Sequence, residues 1–214
     1  MKSLFLSLLL TLALASSVFA QEVPKVELFA GYSTLNSDPG GSFTGNGRPQ
    51  GWEASVNFNV NRWFAIEADA SGYYRSERFY NFSTNTFSVS RSKTNAHSFL
   101  IGPRFNYRTT KNITPYVHAL AGVSTTSVNV TTDVFTSDGV TGASFFGTAP
   151  SQRLEASYRF KEFASAFGGG FDLKISDKLH WRAFQADYLR TRGDGFSRNN
   201  IRFSLGLVFR IGKK

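Results

Sequence analysis

From Trp52 to Val60 the chain alternates apolar and polar residues one for one. Trp52, Ala54, Val56, Phe58 and Val60 fall on one face, and Glu53, Ser55, Asn57 and Asn59 on the other. A repeat of two is the mark of a β-strand, whose successive side chains point to opposite faces. The pattern pauses at Asn61-Arg62. It resumes with Phe64, Ile66, Ala68, Ala70, Gly72 and Tyr74 against Glu67, Asp69, Ser71 and Tyr73, which predicts a hairpin with a tight turn. Val26, Leu28, Ala30 and Tyr32 alternate with Glu27, Phe29, Gly31 and Ser33. Phe99, Ile101, Pro103, Phe105 and Tyr107 alternate with Ser98, Gly102, Arg104 and Asn106, although Pro103 brings no ladder donor. The last strand sets Ile201, Phe203, Leu205, Leu207, Phe209 and Ile211 against Arg202, Ser204, Gly206 and Arg210, with Val208 out of pattern.

Three segments are less regular. Thr114 to Thr125 is apolar on both faces, and the assignment adopted puts Val117, Ala119, Ala121 and Val123 outward and His118 inward. Phe163 to Leu173 puts Phe167, Gly169, Phe171 and Leu173 outward, with Gly168, Gly170 and Asp172 inward. Leu179 to Leu189 changes phase, since Arg182 and Asp187 stand five residues apart and cannot share a face of a regular strand. One extra residue near Ala183-Phe184 restores the phase, so a β-bulge is predicted there.

The connections sort into two kinds. Asn59–Arg62, Arg108–Ile113 and Ser176–Lys178 are short; Asn36–Pro49, Ser76–Lys93 and Ser127–Lys161 are long, polar and rich in Gly, Ser, Thr and Asn, and are expected to be loops. Short and long alternate along the chain, as in barrels that cross a membrane with short inner turns and longer outer loops. A water-soluble barrel would turn its apolar face inward, where this chain has its charge. The expected fold is therefore all-β: an eight-stranded antiparallel up-and-down transmembrane β-barrel in a bacterial outer membrane.

Composition fits this reading. The chain has 22 Phe, 8 Tyr and 19 Gly and lacks cysteine, so closure of the hydrogen-bond ladder has to do what disulfides do in many exported domains. Met1-Lys2-Ser3, the leucine-rich run from Leu4 to Ala15 and Val18-Phe19-Ala20 have the layout of a cleavable signal peptide. The expected division is a signal peptide over residues 1–20 and one barrel domain over 21–214. No cysteine follows the cleavage site, so no lipoprotein anchor is expected.

The polar face carries the candidate site. Glu27, Glu53, Glu67, Asp69, Asp172 and Asp187 point inward together with Arg104, Arg182, Arg202 and Arg210, six acids against four bases. Charges in a narrow interior are costly unless paired. One reading is a lumen plugged by ion pairs; the other is an ion pathway lined by charge. The net charge of +9 lies at the two ends, where basic rims suit the phosphates of outer-membrane lipids, lipopolysaccharide included. A signal peptide and an amphipathic barrel exclude nucleic acid as the target of that charge.

Catalytic and metal chemistry find little support. His97, His118 and His180 lie in different strands without metal-ligand spacing, and no cofactor is expected. His97-Ser98 are adjacent, so a strand sends their side chains to opposite faces. Gly168-Gly169-Gly170 is followed by no Lys-Ser/Thr and helix, as a phosphate loop requires. Arg192-Gly193-Asp194 spells an adhesion tripeptide, and Gly-Asp is also ordinary turn chemistry.

Four pieces of sequence carry a resemblance. They are Ile101-Gly102-Pro103-Arg104-Phe105, Gly169-Gly170-Phe171-Asp172, Gln185-Ala186-Asp187-Tyr188-Leu189, and the final run from Asn199 to Arg210. With the strand count they make the chain resemble the small outer-membrane β-barrels, the OmpA-type transmembrane domain and OmpX-like proteins. The resemblance implies insertion by the outer-membrane assembly machinery. It leaves function to the site. The expected role is structural or surface-interacting and non-enzymatic, with no ligand named; the alternatives are a narrow porin-like channel and a lipid-modifying enzyme.

Overall fold

The computed structural model describes residues 23–37, 48–83, 86–108, 112–136, 152–193 and 196–213. The predicted signal peptide lies outside the described residues. The strands are β1 (Pro24–Ser37), β2 (Gln50–Asn59), β3 (Phe64–Ser83), β4 (Thr86–Asn106), β5 (Ile113–Thr136), β6 (Gln152–Lys174), β7 (Leu179–Gly193) and β8 (Phe196–Lys213). Each pairs antiparallel with its sequence neighbours, and β8 pairs back onto β1, closing the ring.

Alternation in the sequence becomes the two sides of the wall. Phe58, Ile66, Phe99, Ile101, Val117, Val123, Phe167 and Leu205 are exposed on the outside, while Glu27, Glu53, Glu67, Arg104, His118 and Arg202 are buried inside. The less regular segments follow the expected parity, with Val117, Ala119, Ala121 and Val123 outward. Val208, out of pattern in β8, is fully buried in the interior.

Two irregularities have local causes. The β7–β8 register shifts between Arg182 and Gln185, and β7 shifts against β6 opposite Phe171 and Asp172. That is the predicted bulge at Ala183-Phe184, and it returns both Arg182 and Gln185 to the interior. On the β5 side of β4 the pairing stops at Ile101↔Ala121 and resumes at Arg104↔His118, because Pro103 brings no N–H.

The long connections differ from expectation. Ser76–Lys93 is not a loop: β3 and β4 stay paired up to Ser83↔Thr86. Most of Ser127–Lys161 is also strand, paired down to Val134↔Gln152, with residues 137–151 outside the described set. Asn36 and Ser37 belong to β1, and residues 38–47 of that connection lie outside the described set. The cause lies in solvent. Beyond the ring both faces of a sheet meet water, so polar residues occupy both and the two-residue apolar signal fades. The β-branched and aromatic residues Val128, Val130, Val134, Phe79, Tyr80 and Phe87 still favour strand there.

β2 reaches no higher than Gln50↔Tyr74, and β7 joins β6 only from Phe163↔Arg192. Thus β3 to β6 rise past the ring as a four-stranded sheet. The nine steps from Tyr74 to Ser83 span roughly 30 Å at about 3.3 Å each. Among the described residues, β3 above Tyr74 and β6 above Phe163 have a ladder partner on one side only.

Candidate functional site: the charged interior

Eight of the ten predicted interior residues meet in one network. Arg202, from β8, is its most connected cation. Its Nε donates to Asp187 Oδ2 at 2.7 Å, its Nη1 donates to Asp69 Oδ1 at 2.9 Å, and Glu53 Oε2 lies 3.4 Å away. Arg182 donates to Asp172 Oδ1 at 2.8 Å and to Gln185 Oε1 at 2.8 Å. Arg104 donates to Asp172 Oδ2 at 3.2 Å and stands 3.6 Å from Glu67 Oε2. Both partners of each of these ion pairs have side chains with 0% exposure. Charges so enclosed are tolerable because fork-shaped guanidinium donors meet carboxylates at short range.

Two neutral-looking residues tie these pairs together. His118 brings Nδ1 within 2.8 Å of Glu67 Oε2 and Nε2 within 2.8 Å of Asp187 Oδ1. An imidazole donates to two carboxylates only when both nitrogens carry a proton. Gln185 donates to Glu53 and Asp187, each at 2.7 Å, and accepts from Tyr116 at 2.7 Å. Aromatic faces complete the packing: Arg104 lies 3.5 Å from the Tyr116 ring centre, and Arg182 lies 4.1 Å from that of Phe29. A Cβ at Gly168 would come within 2.1 Å of Asp187 Oδ1, so the Gly168-Gly169-Gly170 run leaves room for this carboxylate.

The other two predicted residues, Glu27 and Arg210, stand apart. They pair across β1 and β8 at 2.7 Å, and Arg108 joins Glu27 at 3.1 Å. Toward the opposite end the interior turns apolar, where Leu35, Tyr73, Ala96, Leu100, Leu120, Ala164, Ala166 and Leu189 cluster. The enclosed space is layered: an ion cluster at the short-turn end, the main network in the middle, an apolar layer toward the protruding sheet.

His118 was expected inward, and the structure gives it a bridging place between two carboxylates. Gln185, Tyr116, Arg108 and Ser204, which donates to Glu53, were not singled out. Arg108 begins a short connection, Gln185 is hidden by the bulge, and Tyr116 sits where both faces are apolar. Among the described residues no group of His, Cys, Asp and Glu is arranged to hold a metal ion. His97 faces outward toward the Tyr74 hydroxyl at 3.3 Å, while Ser98 bonds Ser124 inside at 3.1 Å, so the two stand on opposite faces. Arg192 and Gly193 belong to β7; Asp194 lies outside the described residues.

On the protruding sheet, Asp133 of β5 accepts from Arg91 of β4 at 2.6 Å and from Arg153 of β6 at 2.7 Å. The hydrogen bonds from Arg153 and Arg91 hold this carboxyl below its ordinary value. A lowered folded-state value means that the clamp contributes above the ordinary carboxylate pKa, about 3.9, and is lost as pH falls through the lowered one. A spin label at Glu155 is therefore expected to keep its mobility from pH 7 down to about 4 and to loosen below. In Asp133→Asn it should be loose throughout. Equal acid loosening in Asp133→Asn and the parent would remove the clamp from the account.

A family model described as outer membrane protein beta-barrel domain matches residues 6–209. Among solved structures, the chain is similar to Ail, the attachment invasion locus protein of Yersinia pestis, at 14% identity, covering 86% of this chain and 96% of that one with a TM-score of 0.46. It is similar to Neisserial surface protein A at 11% identity, covering 87% and 96%, TM-score 0.47. It is also similar to the outer membrane protein OprG from Pseudomonas aeruginosa at 11% identity, covering 90% and 98%, TM-score 0.42. A comparison with curated proteins finds no match.

Proposed function

The chain belongs to the outer membrane protein beta-barrel domain family, located in the bacterial outer membrane, and from that premise we propose that it is a non-enzymatic barrel whose interior is a plug and whose protruding sheet meets an external partner. One observation carries the reading: charge and exposure are separated. The central charged side chains are paired at 0% exposure, whereas Phe79, Tyr80, Phe82, Leu154 and Tyr158 on the protruding strands are 44–78% exposed. Exposed aromatics beside half-paired strand edges suit a protein partner. Insertion relies on the outer-membrane assembly machinery, and the basic rims rest on the phosphates of lipopolysaccharide and other outer-membrane lipids.

The test shortens the sheet without touching the ring. Removing Phe79–Phe82 together with Phe87–Ser90 deletes four complete cross-strand pairs and preserves side-chain parity. The shortened protein is expected to keep its heat-modifiable folding and to lose attachment of expressing cells to matrix-coated surfaces. The full protein is expected to give background conductance in planar bilayers and to release no fatty acid from lipopolysaccharide. Discrete single-channel steps would replace the plug with a narrow pore. Fatty-acid release would make the protein a lipid-modifying enzyme.

A further inference from the structure

We propose that the outward face of β1 to β4 holds one acyl chain of a phosphorylated glycolipid of the lipid A class, with the headgroup phosphate on Lys93 and Arg78. This site depends on the membrane location and not on the role of the protruding sheet. The first observation is a depression of about 590 Å³ on the apolar outer wall. Its floor is Ala54, Ala68 and Ala70, and its walls are Leu28 on one side and Phe99 and Ile101 on the other. Register explains the shape. The outward row Leu28–Val56–Ala68–Ile101 is followed by Ala30–Ala54–Ala70–Phe99, so bulky side chains on β4 border methyl groups on β3. Leu28 on β1 and the side chains of β4 stand three strand spacings apart, about 14 Å along the wall. A flexible hydrocarbon chain can lie along such a furrow, whereas the convex wall of a second barrel would touch only its borders.

The second observation is at the outer end of the furrow. The next outward row is Trp52–Gly72–His97. A Cβ at Gly72 would stand 2.7 Å from Trp52 Nε1 and 3.1 Å from His97 Cδ2, so both rings lean over this glycine and close the furrow. Tyr74 joins them, its hydroxyl 3.3 Å from Trp52 Nε1 and 3.3 Å from His97 Nε2. Polar-tipped aromatics at this depth match the ester and sugar level of a lipid.

The third observation is charge. Lys93 lies four residues beyond His97 on the same face of β4, roughly 13 Å along the strand. Arg78 of β3 pairs across with Arg91, one outward row higher. Lys93 and Arg78 are exposed and form no ion pair among the described residues. Apolar furrow, hydrogen-bonding collar and unpaired cations therefore follow one another along one line, in the order of an acyl chain, a sugar backbone and a phosphate. The cations stand at the end with the long strands, which is the outer side, so the occupant is the outer-leaflet glycolipid and not an inner-leaflet phospholipid.

Trp52 reports on the site. Trp63 and Trp181 sit at the short-turn end, so Trp63→Phe and Trp181→Phe together leave one tryptophan. The full-length barrel with these changes is reconstituted in phosphatidylcholine vesicles, and bisphosphorylated lipid A is added in steps. Trp52 emission is expected to shift saturably at low lipid A fractions. Ala70→Leu fills the floor and should abolish saturation, while Ala186→Leu on the far wall should not. Lys93→Glu should weaken the apparent affinity about fivefold or more, the weight of one surface cation near anionic lipid. A response that is linear, that phosphatidylglycerol reproduces equally, or that survives Ala70→Leu in the folded barrel would overturn the site. Disulfide-linked dimers formed by Ala70→Cys in the membrane would also overturn it, by giving the furrow to a second copy.

Discussion

Arg202→Ala is expected to lower the unfolding free energy by about 3–5 kcal/mol, and Arg48→Ala by about 0–1. Arg202 touches Asp187, Asp69 and Glu53 with no exposure at either end of any pair. Truncating it removes the cation but leaves three enclosed carboxylates, and the cost of an orphaned charge exceeds the net value of the pair that was lost. Arg48 precedes β2 and is exposed. Glu53→Ala and Arg104→Ala should fall below Arg202→Ala and well above Arg48→Ala, because each breaks fewer contacts of the same kind. A second comparison separates charge from volume. Restoring an apolar filler with Arg202→Met should recover little while Asp69 and Asp187 stay, and more once both are Asn and Leu. The measurement is the urea midpoint in phospholipid vesicles, at unchanged slope. Equal midpoints for Arg202→Ala and Arg48→Ala would dissolve the network as an energetic unit.

The wall was legible because it obeys a rule with a period of two. Once Glu53, Glu67 and Arg202 were placed opposite Ala54, Ile66 and Leu205, the inside and outside of three strands followed. The bulge was legible for the same reason: Arg182 and Asp187 could not both face inward without an extra residue. Contacts across the ring were not legible. Arg202 meets Asp69 from β3, and Gln185 meets Glu53 from β2, pairs 133 and 132 residues apart that only closure brings together. The two-residue signal ends where the wall leaves the apolar layer. Ser76–Lys93 has the composition of a loop, yet each of its described residues finds a cross-strand partner, because backbone pairing does not need an apolar face. His118 shows a subtler limit. Its inward direction followed from parity, while its two carboxylates come from β3 and β7, on either side of its own β5 neighbours.

Ala68→Arg is expected to cost about 2–4 kcal/mol, as charges placed near the midplane of a barrel's lipid face do. Ala68 lies in the outward row that includes Leu28, Val56 and Ile101, and Leu205 lies midway along the outward set of β8, so Leu205→Arg should behave alike. The physical cause is solvation: a guanidinium there exchanges water for hydrocarbon and must snorkel to a headgroup to recover part of it. Ser71→Arg is the informative contrast. Ser71 is 1% exposed and faces Arg202, 3.5 Å from its Nη1, so an arginine there meets a like charge in a buried position and fails for lack of space. The two failures differ in their response to the surroundings. Shortening the lipid tails brings the headgroups closer to position 68 and should recover part of the loss in Ala68→Arg but none in Ser71→Arg. Spin labels at Ala68 and Leu205 are expected to collide with dissolved oxygen and to be shielded from a water-soluble nickel chelate. Strong collision with the chelate at both positions would reverse the two faces of the wall, and the charged residues would then be the ones that meet the lipid.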